Sequence, residues 1–355
     1  MLFKMELLQT LLLLVVIDPN SYSKPMRIQS EPVRRIEAKL SLHVKAPSLE
    51  ASEWIFVAPK CPELPCQSNI RASLDKQYNE KMEASPLRRP ILMLRLPVRQ
   101  PQLQSQIDVQ YTCSALLYKR KLVPIAPNER VAAVPPLPSD LQKAYLATNT
   151  LVNHDHPNFR SWMVNQGLKR AAGESELEFA HRVFHFLHAK MHYEYEKEMD
   201  RRVSVVCKNL KTDCGGMSCM MVGILRANGI PARILVGRWA QSAEAEAKLG
   251  GIAYYQTHVK AECFIANIGW VPFDLSSAVN AEASIDPASF FGQDPGDFLV
   301  FHVDYDLQVD TVHFGIKSIV SMQGIQYWAK GSGDFSDQKQ KESWLVKPLP
   351  VTNKR

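Results

Sequence analysis

No apolar run in this sequence approaches the roughly 20 residues that a helix needs to cross a bilayer. The longest covers residues 7–17 and is already interrupted by Gln9 and Thr10. Charge of one sign is not in large excess either. Lys and Arg total 42 against 36 Asp and Glu, a formal +6 spread along the chain, which excludes the concentrated basic face of a nucleic-acid binder. Cysteine is too sparse for a disulfide-dense scaffold: seven residues, odd in number and widely spaced, so at least one thiol has no intrachain partner. What remains is an ordinary globular composition, 46% hydrophobic and 22% charged, which excludes global disorder. A length of 355 residues exceeds one ordinary core and suggests two domains or three short ones.

The run at 7–17 lies between Lys4 and Asp18-Pro19-Asn20, the layout of a secretory h-region, with Ser21 and Ser23 as small residues before a cut at Lys24. Glu6 dilutes the basic segment, and no A-x-A site is present. The expectation is a signal over residues 1–23 and a protein secreted or held in the periplasm or cell envelope. Without that signal, it is cytoplasmic. No stable membrane span is expected.

From residue 33 to 123 the pattern is that of strands. Ile36, Ala38, Leu40, Leu42 and Val44 alternate with Glu37, Lys39, Ser41 and His43, the period of a half-buried strand. Residues 53–58, 91–98 and 107–118 are further strand-length runs, and the prolines at 86, 90, 97 and 101 favour edges and loops. A small antiparallel sandwich is expected over residues 30–123. Cys61 and Cys66, separated by Pro-Glu-Leu-Pro, are a candidate disulfide pair in an exported protein and a weak candidate for zinc. Five prolines between 124 and 138 mark a rigid linker.

Helical signals follow: Ser139-Asp140 before residues 141–147, then 159–170, then the capping box Ser175-Glu176-Leu177-Glu178 opening a helix to about Tyr193. His181, His185, His188 and His192 fall within about 60° on that helix. Shared metal ligation is one reading of them, and a polar shoulder beside Ala180, Phe184, Leu187 and Met191 is the preferred one. Position 182 is Arg, so no H-E-x-x-H is formed.

The segment 212–239, TDCGGMSCMMVGILRANGIPARILVGRW, carries the chemistry. Asp213 is a good N-cap, Met217, Met220, Met221, Ile224 and Leu225 continue an apolar face, and Asn228-Gly229 before Pro231 ends the helix. Cys214 therefore occupies the first helical position, where the macrodipole and unpaired N–H groups favour a thiolate. Gly215 and Gly216 leave room for a substrate, and the same N–H groups suit an oxyanion. Cys219, Cys207, Cys113 and Cys263 read as buried packing. Downstream, His258 opens a strand, Asn267 to Gly269 supplies a turn, and residues 270–274 return with Asp274 at the end. Antiparallel counting does not set His258 directly opposite Asp274, so a bulge or twist is needed. The order Cys, His, Asp follows the logic of a nucleophile, its base and an orienting group.

These motifs resemble the transglutaminase-like superfamily: Asp213-Cys214-Gly215-Gly216, Gly229-Ile230-Pro231-Ala232-Arg233, His258, and Gly269-Trp270-Val271-Pro272-Phe273-Asp274. The resemblance covers roughly residues 140–330 and is strongest over 212–276. It implies an α+β fold, a papain-like transglutaminase core with helices packed on an antiparallel sheet over residues 139–330, preceded by the β-sandwich and followed by a polar tail over 331–355 with a short strand near 344–346. The length suits bacterial transglutaminase-like proteins. The resemblance carries over Cys214 as nucleophile, His258 as general base and Asp274 as orienter, with neither cofactor nor metal. Many members have Trp two residues after the histidine; Lys260 stands there instead, where it would alter access or charge preference for substrate, while Glu262 is kept.

The implied reaction is attack of the Cys214 thiolate on an amide of a protein or peptide, giving a thioester that an amine or water resolves. A cysteine peptidase or amidase on the same three residues is the enzymatic alternative, and a binding module that keeps the fold without turnover is the non-catalytic one. Oligomeric state is left open. Residues 301–310, where Phe301, Val303, Tyr305, Leu307 and Val309 alternate with His302, Asp304, Asp306, Gln308 and Asp310, read as one half-exposed strand with a solvated acidic face rather than a calcium site.

Overall fold

The computed structural model describes residues 24–99 and 106–350. The expected signal at 1–23 lies outside them. The fold class is α+β, a sheet-rich chain with few helices.

The longest strands are Met26–Lys45 and Gln106–Pro124, paired antiparallel from Met26↔Pro124 to Lys45↔Gln106 with one bulge between Pro32 and Arg34. Alternation along the first of them turns Ile36, Ala38, Leu40, Leu42 and Val44 inward. A second sheet is built on Leu49–Pro59, flanked by Pro90–Pro97 and Gln326–Gly333. The two sheets enclose a core that includes Trp54, Phe56, Leu92, Leu94, Tyr111 and Trp344. Residues 54–58 are apolar without alternation because their strand is covered on both faces. Trp54 and Phe56 enter the sandwich core, while Ile55 and Val57 lie under Leu307, Val309 and Ile319 of a separate hairpin.

Residues 331–355 are not a polar tail as far as position 350. Gln326–Gly333 and Lys339–Leu349 are strands, and the second pairs with Met26–Lys45 along eleven positions, from Arg35↔Leu349 to Lys45↔Lys339. The sequence shows only the short stretch near 344–346 as a strand because the strand lies at an edge: most of its side chains face solvent, and only Trp344 is deeply buried. The sandwich is thus completed by the far end of the chain.

The second core is a four-stranded antiparallel sheet in the order Gly269–Phe273, Thr257–Ile265, Ala232–Trp239, Phe298–Val303. The helix Cys214–Ala227 packs on the Thr257–Ile265 strand, and Glu176–Lys190 packs on that helix. Met217, Met220, Met221 and Ile224 meet Ile234, Val236 and Ala261 across the interface. Both halves of the Ser175 capping box are formed. That helix ends at Lys190, so His192 leaves the histidine stripe and begins a short strand. His181 and His185 stay together, with Nε2 atoms 2.9 Å apart.

Two further expectations change. The acidic strand is broken: Phe298–Val303 and Leu307–Asp310 are separated by a turn in which Asp304 and Asp306 have φ of 53° and 61°. Asp304 is buried rather than solvated, accepting from Arg226 Nη2 at 2.6 Å and from the Ile234 N–H at 3.0 Å. Cys61 and Cys66 are not bonded; Cys61 enters the sandwich core, and Cys66 packs with Leu235 and Val300 beside the second sheet.

Candidate active site

Cys214 opens its helix as expected, with Asp213 as N-cap accepting from the Gly216 N–H at 3.1 Å. Asp213 is itself held by Arg201, whose Nε and Nη2 reach its oxygens at 2.9 and 2.7 Å. Gly216 has a packing reason: a Cβ there would lie 1.9 Å from the Thr212 hydroxyl oxygen. Gly215 lines the cleft, where a Cβ would meet the Tyr305 hydroxyl at 3.1 Å.

The thiol is half-buried at the wall of an open cleft of about 800 Å³, whose lining includes Tyr193, Arg201, Thr257, Val259, Tyr305 and Trp328. Burial pushes the thiol above its ordinary pKa, and the charges of Asp213 and Asp274 add to this; the Val259 backbone N–H and Arg201 pull the other way. Burial and these carboxylates thus oppose the helix-dipole preference for a thiolate and favour the thiol form.

His258 lies on the strand that carries Val259. Its Nε2 is 2.9 Å from Asp274 Oδ2, and both residues are buried. In the ladder Ala261 faces Phe273, so His258 and Asp274 are offset, as counting indicates. The gap closes because Asp274 leaves the strand and becomes the N-cap of the helix Leu275–Asn280. There its carboxylate accepts from the Ser277 N–H at 3.0 Å and from the Ser277 and Ser276 hydroxyls at 2.8 and 3.1 Å. Burial alone would raise the Asp274 carboxyl. The charge and hydrogen bond of His258, together with Lys260, outweigh it and hold the group well below the usual carboxylate range.

Several contributors were not legible as site residues. Trp239 stacks on the His258 imidazole, with ring centroids 4.2 Å apart and 20° between planes. Phe298 closes the edge at 5.8 Å in a T-shaped contact. Gln323 donates to the His258 carbonyl at 2.9 Å, and Ser218, one turn into the Cys214 helix, donates to the Val259 carbonyl at 3.3 Å. These residues lie in other motifs or far along the chain, so no spacing rule would select them.

Lys260 is 5% exposed, its ammonium turned into the protein. Its ammonium is 3.1 Å from Asp297 Oδ1 and 3.7 Å from Asp294 Oδ1, and it lies over the Trp239 ring at 4.6 Å. The departure at this position is an internal ion pair. Glu262 is likewise internal, accepting from Arg120 Nη1 at 2.7 Å and Arg233 Nε at 2.7 Å, while Arg233 lies 3.8 Å over Trp270. Buried Arg233 and Glu262, with half-buried Trp270, form a cluster that ties the sandwich, through Arg120, to the second sheet.

Residues 164–275 match the family model of the transglutaminase-like superfamily, a span that contains Cys214, His258 and Asp274. The chain carries a transglutaminase-like core. Over nearly its whole length the fold is similar to that of a candidate cysteine protease from Cytophaga hutchinsonii, at 11% identity and a TM-score of 0.51, with 92% of this chain and 94% of that one covered. More distant are the periplasmic domain of TgpA from Pseudomonas aeruginosa (15% identity, TM-score 0.35, 70% of this chain and 92% of that) and red sea bream transglutaminase (8%, 0.30, 82% and 58%). The first likeness is one of fold, and the other two are too remote to argue from. No curated protein matches the sequence. In this transglutaminase-like core the helix start bearing Cys214 and the buried His258–Asp274 pair belong to adjoining elements, joined through Val259 and Ser218.

Proposed function

We propose that the protein is a thiol enzyme acting on amides of proteins or peptides, with Cys214 as nucleophile, His258 as general base and Asp274 as orienting carboxylate. The observation that carries this reading is the buried 2.9 Å His258–Asp274 bond on the strand packed against the helix that Cys214 opens, at a cleft open to solvent. With Nε2 engaged by Asp274, Nδ1 is the ring nitrogen left for the thiol proton.

His258 accepts that proton as the sulfur attacks the amide carbonyl carbon. A sulfur–carbon bond forms, and the carbonyl electrons move to oxygen. The N–H groups of Cys214 and Gly215, which a helix start leaves without helical acceptors, suit that oxyanion. When the carbon–nitrogen bond breaks, the imidazolium returns its proton to the leaving nitrogen, which departs as ammonia or an amine. The thioester is then resolved by an amine, giving a new amide, or by water, giving an acid. The open cleft admits both. The peptidase or amidase reading differs in which amide is cleaved, and so which nitrogen leaves, and in using water alone to resolve the thioester. The binding-module reading accounts for Asp274 as a helix cap but gives no role to its buried bond with His258. Secretion or residence in the cell envelope is part of the proposal; no helix among the described residues is long and apolar enough to cross a membrane.

The test follows amine incorporation into a glutamine-containing protein, alongside peptide cleavage and ammonia release, for the wild type and Cys214→Ala. Activity in any arm that Cys214→Ala abolishes supports the thiol mechanism. If no arm responds, and iodoacetamide labels Cys214 no faster than an ordinary exposed thiol, the enzyme reading fails.

A further inference from the structure

Two cysteines far from the cleft approach each other in the sandwich core. Cys61 follows the strand Leu49–Pro59 of one sheet, and Cys113 lies within Gln106–Pro124 of the other. Their sulfurs are 3.5 Å apart, both are nearly inaccessible, and the Tyr111 hydroxyl lies 3.2 Å from the Cys61 sulfur. We propose that Cys61 and Cys113 are joined by a disulfide when the protein folds under oxidising conditions. A bond needs about 2.05 Å between sulfurs, so the pair must close by roughly 1.5 Å, within the reach of small side-chain rotations.

The nearer cysteine in sequence is the wrong partner. Only four residues separate Cys61 from Cys66, but the chain between them passes from the sandwich core to the second sheet, and Cys66 packs with Leu235, Phe298 and Val300. Cys61 and Cys113 share one cluster with Tyr111. Their bond would staple the two sheets across the core and close a loop of about 50 residues, restricting the unfolded chain.

The chemistry is thiol–disulfide exchange with a disulfide donor such as oxidised glutathione. One cysteine thiolate attacks the donor, forming a mixed disulfide and releasing one donor thiol. The second cysteine thiolate then displaces the other donor thiol as the protein disulfide forms. Two electrons pass to the donor, and its two thiols carry the two protons. Burial raises the Cys61 thiol, with Cys113 beside it adding to the effect. The thiolate is therefore scarce once the sandwich is closed, and exchange belongs to folding rather than to the finished core.

The full chain is refolded in oxidised or reduced glutathione, alkylated with iodoacetamide in denaturant, and mapped by peptide mass. The expected result is a Cys61–Cys113 linked peptide about 2 Da lighter than its reduced parts, with Cys66 alkylated. The thermal midpoint should lie several degrees above that of the reduced protein. Cys66→Ser keeps the link and the shift; Cys113→Ser loses both. Glutathione captured by Cys214 appears on a different peptide. Alkylation of both Cys61 and Cys113 after oxidative refolding, or a Cys61–Cys66 link, overturns the proposal. The wild-type map decides even if Cys113→Ser does not fold, and it does not depend on the enzymatic reading.

Discussion

At the scale of residues, the candidate site is held by groups that surround the reacting atoms. Asp274 accepts from His258 Nε2, so Asp274→Asn would offer an N–H where an acceptor is needed and favour the other imidazole tautomer. A fall in activity of about 10³–10⁴-fold is expected, with the thermal midpoint little changed, measured by amine incorporation or peptide cleavage. Trp239 gives the imidazole a flat wall. Trp239→Ala should let the ring swing and lower kcat by roughly 10–100-fold with little change in KM. An effect confined to KM would mean that Trp239 binds substrate instead.

At the scale of elements, the start of the Cys214 helix is specified by space as well as by capping. Gly216→Ala would drive a methyl into Thr212, and the helix start must move; about 1–3 kcal/mol of destabilisation is expected by chemical denaturation, together with slower iodoacetamide labelling of Cys214. Gly215→Ala meets side-chain atoms only, the Tyr305 hydroxyl at 3.1 Å, Asp213 Oδ1 at 3.3 Å and Arg201 Cδ at 3.4 Å, so it should keep most of the stability and lose activity by narrowing the cleft. The two adjacent glycines thus separate by assay, one through stability and one through turnover. The Asp274 end of the returning strand shows the same economy of means. One carboxylate caps a helix and orients His258, which turns an offset register into a contact.

At the scale of the molecule, the C-terminal strand belongs to both halves. Trp344 fills the sandwich core, and its indole N–H donates to the Trp239 carbonyl at 3.1 Å, one bond from the residue stacked on His258. Trp344→Ala should cost about 3–5 kcal/mol and reduce activity beyond the loss of folded protein. A variant that kept full specific activity would show that the strand only stabilises. Acid sensitivity is also built into the fold. His302 is buried; the geometry makes Nδ1 the donor to the Asp304 carbonyl at 2.8 Å and Nε2 the acceptor from the Met322 N–H at 3.0 Å, so the ring is neutral. Burial, with Arg89 nearby, lowers its pKa to about 3, and burial beside His185 lowers that of His181 to about 4. The unfolded chain takes up these protons near pH 6.5 while the folded one does not, so their stabilisation is present above that pH and is lost as pH falls toward 4 and then 3. Denaturation midpoints between pH 7 and 4 should decline more steeply for the wild type than for His302→Gln; equal slopes would remove His302 from the account.

The resemblance of its motifs to a known superfamily implied the α+β class, and the sequence by itself determined the alternating first strand, the capping box at Ser175 and the helix start at Cys214. Each of these depends on neighbours within one or two turns or one strand period. Tertiary structure alone decided what lies opposite what. It paired the far C-terminal strand with the first strand, sent Cys61 toward Cys113 rather than Cys66, and buried Asp304 under Arg226. It also made Lys260 an internal cation and put Trp239 against His258. Edge strands and ion pairs of this kind carry no periodicity of their own, because their partners are chosen by burial across the sheets and not by distance along the chain. The absence of a paired-cysteine framework in the sequence therefore said nothing about which two thiols the fold would bring together.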